Sequence, residues 1–509
     1  MTVFHRIDVS SHIKLPTPAS RAAVVDLGSN SVRLVVFEGL GRNPVAIFNE
    51  KAVLRLGRGL EASGELNEEG VRQALLVMQR YAAIAHAMGA DPFQVLATAA
   101  VRDARNGPEF VRELQLRMPG VAIKVLSGEE EADLAAAGTL CGIPGADGVL
   151  ADIGGGSLEV VRLAKGRRFQ AQTLKLGVIR LAERARQDVE RARQIAESDL
   201  ATVPWLGEGE AQDLYAVGGA WRALARMHIA RIGYPLSIVH HYTVSSDEAR
   251  QFATFVAEAP RRVLERMAEG SRKRVDDLPF AAVVLRRLLR ITGARRVVFS
   301  ANGMREGWYM GLLKPEIREE DPLLAAGHDY AERLGRELEL PPALITWTDP
   351  LFVNEPLAFR RLREAACWMS DIGSRDHPEY RAEQAFLRIF RQPGVGLDHQ
   401  ARAFLGLALA LRYEAEPEVG FLEPARRLLT GPERQRAETL GHALRLAYTL
   451  SAGTTSLLKA TRLDVGATLT LLLSEGNGVF EGESVTRRLQ RLAGILELPA
   501  QTAETASAA

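Results

Sequence analysis

Two short segments of this chain share one sequence pattern, and this duplication constrains the fold more than any other feature. The segments are Asp26–Ser31 and Asp152–Ser157, and each lies between two apolar runs that favour β-structure. A strand, a turn rich in glycine and serine, and a second strand form a β-hairpin. Two such hairpins, 126 positions apart, predict two related half-sites that face one cleft.

The residues in these turns are typical of phosphate and metal sites. Glycines let backbone N–H groups approach an anion closely, hydroxyl groups add hydrogen-bond donors, and an aspartate at the strand end can hold Mg²⁺. Turns without any ligand would have a similar composition, so the prediction rests on the duplication. The residues that we expect to hold phosphate groups are Asn30, Ser31, Gly154, Gly155, Gly156 and Ser157.

The composition is that of an ordinary globular protein with several domains. A chain of 509 residues is too long for one hydrophobic core, and its 47% hydrophobic and 25% charged residues are average values. Cys141 and Cys367 form no CxxC spacing, so neither a disulfide framework nor a zinc site is expected. The first twenty residues lack an apolar signal segment, and no apolar run is long enough for a membrane span. We therefore expect a cytoplasmic protein without a membrane partner, and the net charge of +1 gives no reason to expect nucleic acid.

Strands and helices alternate from residue 21 to about residue 137. Apolar residues at helical spacing predict a helix from about 67 to 88, and strands are predicted at 93–97 and 121–126. The second of these strands leads to Ser127, a favourable N-cap for a helix that begins with three glutamates. A linker rich in glycine at 142–148 precedes the second hairpin and indicates a domain boundary near 138–147.

The character of the chain changes at about residue 314. Long segments of alanine, leucine, arginine and glutamate predict helices, and a strand pair is expected within 457–473. The tail at 501–509 is small and polar, and we expect it to be disordered. The predicted domains are a flexible leader at 1–20, α/β domains at 21–137 and 138–313, a helical domain at 314–425 and a C-terminal α(+β) domain at 426–509.

Six motifs in a fixed order carry a resemblance to a known family. Besides the two hairpins, these are Thr98–Asp103, Leu126–Ala132, Val217–Gly219 and Ser300–Gly307. Together they resemble the exopolyphosphatase/guanosine pentaphosphate phosphohydrolase (Ppx/GppA) family over residues 20–313. The resemblance implies an α/β + α protein with two α/β domains of the actin-like (ASKHA, ribonuclease H-like) superfold, followed by an HD-like helical region. It also implies a homodimer.

The resemblance selects the base among three successive glutamates at one helix start. Glu131 matches the position of the catalytic glutamate that activates water, whereas such glutamates would otherwise only complement the helix dipole. Asp152 and Glu159 are the candidate Mg²⁺ ligands, with Asp26 on the opposite turn; Mn²⁺ is an alternative, and K⁺ is a further candidate ion. The odd separation of Asp152 and Glu159 would place them on opposite faces of a strand unless the turn between them reverses this.

Arg102 follows a strand and a loop that should end at the cleft. A guanidinium group there can grip phosphate oxygens in a bidentate manner, and the alternative is a surface ion pair with Asp103 or Asp133. Gly218 and Gly219 resemble the nucleotide-facing glycine pair of the superfold. The next residues are alanine and tryptophan, where threonine is common, which disfavours tight nucleotide binding.

Basic residues cluster between 260 and 296, where eleven arginines and lysines accompany four acidic residues. The densest point is Arg272, Lys273 and Arg274, and Lys175 could extend the same surface. A run of this kind is usually a solvated helix face. A polyanion that slides past the cleft would nevertheless need such a track, because binding to a chain of phosphates is dominated by charge neutralisation.

The segment 365–373 resembles the helix that carries the histidine–aspartate pair of HD domains. Those domains hold metals with histidine and aspartate side chains. Ser370 stands where the histidine is expected, and the stretch from His377 matches the next histidine-rich segment only in part. We therefore predict a degenerate metal site, with a structural or substrate-guiding role and dimer surface.

The leading hypothesis is a Mg²⁺-dependent exopolyphosphatase, in which water attacks the terminal phosphate of inorganic polyphosphate and orthophosphate is released. The close alternative is a guanosine pentaphosphate (pppGpp) 5′-phosphohydrolase, or an enzyme with both activities, whose partners include guanosine penta- and tetraphosphate. A sugar kinase or chaperone-like ATPase of the same superfold is a third hypothesis. A non-catalytic sensor of polyphosphate or an alarmone is the fourth.

Overall fold

The structure is a computed structural model that describes residues 20–504 except 209–211, 268–271, 393, 395 and 475–481. This part of the chain contains three β-sheets, of five, six and three strands. The first two sheets belong to two α/β lobes, and the third belongs to a mainly helical C-terminal region.

Lobe I is built on a mixed sheet with the strand order β3-β2-β1-β4-β5. Its central strand β1 is apolar on both faces, and its alternate residues enter two different cores on the two sides of the sheet. The predicted helix at 67–88 and strands at 93–97 and 121–126 are confirmed. The elements of lobe I are β1 (Arg21–Leu27), β2 (Ser31–Glu38), β3 (Val45–Val53), α1 (Leu60–Ser63), α2 (Glu68–Ala87), β4 (Ala90–Ala97), α3 (Ala99–Asp103), α4 (Gly107–Arg117), β5 (Ala122–Val125) and α5 (Gly128–Gly142).

Lobe II repeats this topology with one additional strand. Its sheet order is β8-β7-β6-β9-β11-β10, so the first five strands correspond to those of lobe I and β10 is an antiparallel edge. The elements of lobe II are β6 (Gly148–Ile153), β7 (Leu158–Ala164), β8 (Arg167–Leu174), α6 (Val178–Arg184), α7 (Val189–Ala201), β9 (Asp213–Val217), α8 (Gly219–Ile232), β10 (Tyr242–Ser245), α9 (Ser246–Glu258), α10 (Arg261–Met267), α11 (Leu278–Thr292), β11 (Arg296–Phe299) and α12 (Met304–Leu312).

Helix α12 ends the α/β part and packs back on lobe I beside α5. Its approach to α5 is so close that a Cβ atom on Gly138 would lie 1.8 Å from the carbonyl oxygen of Gly303. A Cβ atom on Gly307 would similarly lie 1.9 Å from the carbonyl oxygen of Leu134. Since α5 also spans the predicted boundary at 137/138, the two lobes are joined by a helix pair.

The C-terminal region has one continuous hydrophobic core that includes buried residues from Leu323 to Ala493. Its strands pair in the order β12-β13-β14, and the first two are the predicted strand pair. The elements are α13 (Pro315–Glu319), α14 (Pro322–Leu334), α15 (Leu340–Thr348), α16 (Leu357–Trp368), α17 (Arg381–Phe390), α18 (His399–Arg412), α19 (Glu423–Arg426), α20 (Gly431–Ser451), α21 (Thr455–Lys459), β12 (Thr461–Val465), β13 (Leu469–Leu473), α22 (Glu483–Ile495) and β14 (Ala500–Glu504).

The predicted disorder of the tail is wrong for residues 501–504, which belong to strand β14. This strand pairs in parallel with β13, from Leu469 opposite Ala500 to Leu473 opposite Glu504. The backbone ladder to an apolar neighbouring strand compensates for the weak β-propensity of the segment. Residues 505–509 and most of the predicted leader, 1–19, lie outside the described residues. Within the described part of the chain, no helix combines the length and apolarity that crossing a bilayer requires.

Candidate active site

The two predicted hairpins are present, and their turns have the same hydrogen bond. The backbone N–H of Gly28 donates to the carbonyl of Ser31 at 3.1 Å, and that of Gly154 donates to the carbonyl of Ser157 at 3.0 Å. The strands that flank each turn are antiparallel neighbours, β1 with β2 and β6 with β7. The sequence duplication is therefore a structural duplication.

The turns of the two lobes lie against each other. A Cβ atom on Gly156 would lie 2.8 Å from the hydroxyl oxygen of Ser29, and one on Gly155 would lie 3.4 Å from the backbone nitrogen of Asn30. Larger side chains on the second turn would therefore push the first turn away. The glycines keep the two half-sites close enough to hold a single ligand.

A cavity of about 160 Å³ lies between the lobes, and both turns line it. Charged side chains of both signs converge on this cavity. The carboxylates that line it are Asp26, Glu131, Asp152 and Glu159, and the cationic side chains are Arg33, Lys51, Arg222, Arg274 and Arg305. All six predicted phosphate-binding turn residues also line it.

The three successive glutamates at the start of α5 have three different environments. Glu129 is exposed and pairs with Arg168 at 3.2 Å. Glu130 completes a capping box with Ser127, in which each side chain bonds the backbone N–H of the other residue. Glu131 is the buried one of the three, with 8% of its surface exposed, and it alone lines the cavity.

Arg102 holds the carboxylate of Glu131. One guanidinium nitrogen donates to Glu131 Oε1 and to the backbone carbonyl of Leu126, the latter at 2.9 Å. The Nε group donates to Asp103 Oδ1 at 3.2 Å, so the neighbouring-aspartate pair that we considered also forms. Arg102 is not itself among the cavity-lining residues, and it lies beside Glu131 at the edge of the site.

Asp152 and Glu159 face each other across the second hairpin. They are directly paired in the β6–β7 register, so the turn between them places both side chains on one face of the sheet. At the corresponding positions of the first hairpin, Asp26 pairs with Arg33. One half-site therefore carries two carboxylates, and the other carries a carboxylate and a guanidinium group.

Burial raises the pKa values of the cavity carboxylates. Burial is the largest influence on Glu131, whose pKa rises to about 7 although the Arg102 charge opposes the shift. It likewise raises the pKa of Asp152 to about 6. For Glu159, burial and then the charges of Glu131 and Asp152 raise the pKa well above its usual range. A bound cation would relieve this repulsion between carboxylates.

The Asp152–Glu159 pair has the donor chemistry that Mg²⁺ requires. The Oε1 atom of Glu159 is buried without a hydrogen-bond partner, so a cation would satisfy it. Among the described residues, no group of three or more His, Cys, Asp or Glu side chains is arranged to hold a metal by itself. Mg²⁺ is commonly bound by one or two carboxylates together with waters and substrate phosphates, and the site fits that mode. A metal-binding role for Asp26 stays a prediction.

Sequence reasoning missed four cationic residues of the cavity: Arg33, Lys51, Arg222 and Arg305. Desolvation is the main cause that lowers the pKa of Arg222 to about 9, and the charge of Arg305 adds to it. Desolvation and the charge of Arg274 lower the pKa of Lys51 to about 8. These groups repel one another in the absence of an anion. The sequence contained a signal for two of these residues. Arg33 has the same position in the first hairpin as Glu159 has in the second, and Arg222 follows the Gly218–Gly219 pair by one helical turn.

Among the residues of the predicted basic track whose side chains the structure describes, one enters the cavity. Arg274 lines the cavity, and its guanidinium group lies so close to Gly219 that a Cβ atom there would be 2.5 Å from it. Lys175 is exposed and does not line the cavity. The side chains of Arg272 and Lys273 lie outside the described residues.

Comparisons with known proteins agree with this geometry. The model of the Ppx/GppA phosphatase family matches residues 35–316, and that of the exopolyphosphatase C-terminal domain matches residues 326–500. The chain belongs to the Ppx/GppA phosphatase family. The family identification and the expected phosphoanhydride hydrolase class are thereby confirmed.

The proteins that are similar to this chain align with different shares of its length. Exopolyphosphatase 2 of Mycobacterium tuberculosis is 27% identical over 298 residues, which are 53% of this chain and 90% of that protein. Retrograde regulation protein 2 of Saccharomyces cerevisiae is 26% identical over 430 residues, or 77% of this chain and 72% of that protein. The crystal structure of an exopolyphosphatase from Cytophaga hutchinsonii covers 58% of this chain and 99% of its own, with a TM-score of 0.53 and 22% identity. This structure supports the two-lobed fold.

The helical region of this Ppx/GppA protein has ion pairs where the sequence suggested a degenerate metal site. Ser370 is buried and hydrogen-bonds the hydroxyl of Tyr448 at 2.8 Å. Asp371 lies 3.6 Å from the guanidinium groups of Arg336 and Arg412. Arg412 in turn stacks on the ring of Tyr448. Guanidinium groups thus provide the positive charge beside Asp371.

Proposed function

We propose that the protein is an exopolyphosphatase that removes the terminal phosphate of inorganic polyphosphate with water as the nucleophile. The single observation that carries the proposal is the pair of half-buried Arg102 and buried Glu131 beside the Asp152–Glu159 pair, at the meeting point of two phosphate-type turns. An anion grip, a base and a metal-type carboxylate pair are the parts that phosphoanhydride hydrolysis needs. The names of the relatives support the same activity.

The reaction assigns one role to each group. The turn N–H groups and the cavity arginines bind and orient the terminal phosphate. The Glu131 carboxylate accepts a proton as the water oxygen bonds to the terminal phosphorus and the anhydride P–O bond breaks. The products are orthophosphate and a chain that is one phosphate shorter. Mg²⁺ held by Asp152 and Glu159 would supply neutralising charge when bound.

Arg102 would position the base and favour its charged form. Its bond to Glu131 fixes the carboxylate orientation, and its positive charge counteracts the burial that keeps Glu131 protonated. A pKa of about 7 lets a carboxylate take a proton from water near neutral pH and release it again. Glu131 is therefore the best-suited of the three adjacent glutamates for this step.

A substrate panel tests the proposed function. Phosphate release should be measured with long polyphosphate, tripolyphosphate and pppGpp, for the wild-type protein and for Glu131→Gln. We expect sustained release from polyphosphate by the wild type and almost none by the variant, with binding preserved. Release from pppGpp alone would replace the proposal by the pentaphosphate phosphohydrolase. Transfer of phosphate from ATP to an acceptor would replace it by a kinase.

Several finer features belong to the same proposal. We infer that Mg²⁺ is the preferred ion, with Mn²⁺ as a substitute, and that the protein acts as a cytoplasmic homodimer. We also infer an HD-like ancestry for the helical region, supported by the Ser370–Asp371 sequence motif. Light scattering would test the dimer, and a metal titration of activity would test the ion.

A further inference from the structure

The described arginines of the basic run between residues 260 and 296 lie in several separate places in the structure. Arg274 lines the catalytic cavity, whereas Arg286, Arg287 and Arg290 line a second cavity of about 530 Å³ between α9 and α11. The two cavities share no lining residue. From residue 278 to residue 290, α11 rises about 18 Å along its axis. The second group of arginines is therefore not explained by the catalytic site.

Four guanidinium groups surround this second cavity, which we call the arginine groove. Arg286 and Arg290 are exposed one helical turn apart on α11, and like charges at this spacing destabilise a helix. Arg250 on α9 reaches the groove from the other side and pairs with Asp247. The residues that line the groove are Asp247, Arg250, Gln251, Thr254, Arg286, Arg287 and Arg290.

Arg287 shows that the groove is more than a solvated helix face. It is 7% exposed, and its Nε atom is buried without a hydrogen-bond partner. Glu197 lies 3.3 Å from Arg287, but the same carboxylate also lies 4.0 Å from Arg290. The neighbouring Arg193 has its own partner, Glu190. One carboxylate shared by Arg287 and Arg290, with Arg286 beside them, leaves a net positive charge next to a buried, unsatisfied donor. An anion with several oxygens would neutralise this charge and accept a hydrogen bond from the Nε group of Arg287.

We propose that the arginine groove is a second, non-catalytic binding site for inorganic polyphosphate. It holds a distal part of the chain whose end occupies the catalytic cavity. Guanidinium groups bind phosphate oxygens in a bidentate manner, and their repeated spacing suits a repeated anion. The inference rests on the proposed function for its substrate, whereas the groove itself rests on the charges described above.

Tethering at two sites predicts a dependence on chain length. A chain that is held in the groove presents its end to the catalytic cavity at a high effective concentration, which lowers KM. We expect tripolyphosphate, which has only three phosphates, to occupy the catalytic cavity alone and to gain nothing from the groove. The groove therefore acts on long chains only, and it does not change the chemical step.

The test uses Arg286→Gln/Arg290→Gln and a matched control, Arg72→Gln/Arg117→Gln. The control removes the same two charges from exposed arginines on α2 and α4 of lobe I. We expect the groove variant to raise KM for long polyphosphate at least fivefold and to leave kcat, as well as all constants for tripolyphosphate, within twofold of wild type. The control should resemble wild type in every constant. Equal KM values of the groove variant and the control for long chains would overturn the proposal.

Direct binding separates this inference from the proposed function. Fluorescently labelled long polyphosphate should be titrated into Glu131→Gln protein, with and without the groove substitutions, at two salt concentrations. We expect the groove substitutions to weaken binding at least fivefold and to reduce its salt dependence. This comparison is informative even if the wild type hydrolyses no polyphosphate. Unchanged binding, or competition by a single-stranded oligonucleotide as strong as that by unlabelled polyphosphate, would contradict a polyphosphate site.

Discussion

At the scale of residues, the N-terminal turn of α5 separates adjacent glutamates into different functions. The capping box commits Glu130 to the backbone of Ser127, and Lys124 holds its other oxygen at 2.7 Å. Arg168 pairs with Glu129 outside the cleft. Glu131 is left to face the cavity, where Arg102 is its partner. The division follows from helix geometry, since successive residues point about 100° apart around the axis.

The first prediction compares two of these glutamates. Glu131→Gln should lower kcat by about 10²- to 10⁴-fold, the usual contribution of a general base, because an amide cannot accept the proton of water. Glu129→Gln, an equal change two residues away, should keep kcat within twofold. Steady-state phosphate release checks both variants, and binding of labelled polyphosphate verifies that the substrate site is intact. Comparable losses in the two variants would contradict the assignment.

The carboxylate pair on the second hairpin leads to the second prediction. Asp152→Asn removes one of two facing carboxylates, so we expect the Mg²⁺ concentration for half-maximal activity to rise at least tenfold. Asp464→Asn, at an exposed position of strand β12 in the C-terminal region, should leave the Mg²⁺ requirement unchanged. Activity measured over a Mg²⁺ titration gives the result. An unchanged Mg²⁺ requirement in Asp152→Asn would remove this residue from the metal site.

At the scale of elements, the crossing of α5 and α12 connects packing with the position of the base. Glycines at 138 and 307 let the helix backbones approach to a distance that no side chain would allow. Helix α5 carries Glu131 at its start, and the segment before α12 carries Gly303, which lines the cavity. A displacement at this crossing therefore moves two walls of the active site.

The third prediction uses two glycines of the same helix pair. Gly138→Ala would place Cβ 1.8 Å from a backbone oxygen, so the helices must separate. We expect a loss of about 1–3 kcal/mol in unfolding free energy and a lower kcat. Gly311→Ala, on exposed α12 surface with no atom within 4 Å of its added Cβ, should be neutral or slightly stabilising. Thermal denaturation and kcat measurements test both, and equal effects of the two substitutions would contradict the role of the crossing.

The elements differ in how far the sequence could predict them. The two hairpins were predictable because a glycine turn between two apolar runs has one main local solution. The selection of Glu131 could have come from the residues alone, since Ser127 and Glu130 have the S-x-x-E capping pattern that commits Glu130. Strand β14 could not be predicted, because its five residues have weak β-propensity and their order depends on a partner strand 27 or more residues earlier. The position of Lys51 in the cavity likewise could not be predicted, because it depends on how β3 pairs with β2 in the sheet.

At the scale of the whole molecule, hydrogen bonds connect the C-terminal region to segments of the α/β lobes that lead to the cleft. His399, at the start of α18, hydrogen-bonds the backbone carbonyl of His240 at 3.0 Å. The ring of His240 in turn accepts from the backbone N–H of Ala301, two residues before Gly303 of the cavity. Next to this contact, the N–H of Gly396 donates to the carbonyl of Gly142 at the end of α5. The docking surface thus contacts the end of α5 directly and the segment before α12 through His240.

The buried histidines of this surface predict a loss of stability in acid. Burial is the main cause that lowers the pKa of His399 to about 4, and burial also lowers the pKa values of His240 and His241. The unfolded chain, with a histidine pKa of about 6.5, binds more protons than the folded protein between about pH 6.5 and 4, so stability falls as the pH falls through this window. From pH 7.5 to pH 5, His399 alone should contribute a loss of about 2 kcal/mol.

The fourth prediction removes this titration at one position. Gln can still donate a hydrogen bond to the His240 carbonyl but has no charge to gain, so His399→Gln should be less stable or equal at pH 7.5 and less sensitive to acid. Differential scanning calorimetry at pH 7.5 and 5.0 would show a smaller change in Tm for this variant than for wild type. His86→Gln, at an exposed position on α2, should keep the wild-type pH dependence. If His399→Gln also kept the wild-type pH dependence of Tm, the acid sensitivity would originate at other residues. The docking of the C-terminal region would then not depend on the neutral state of His399.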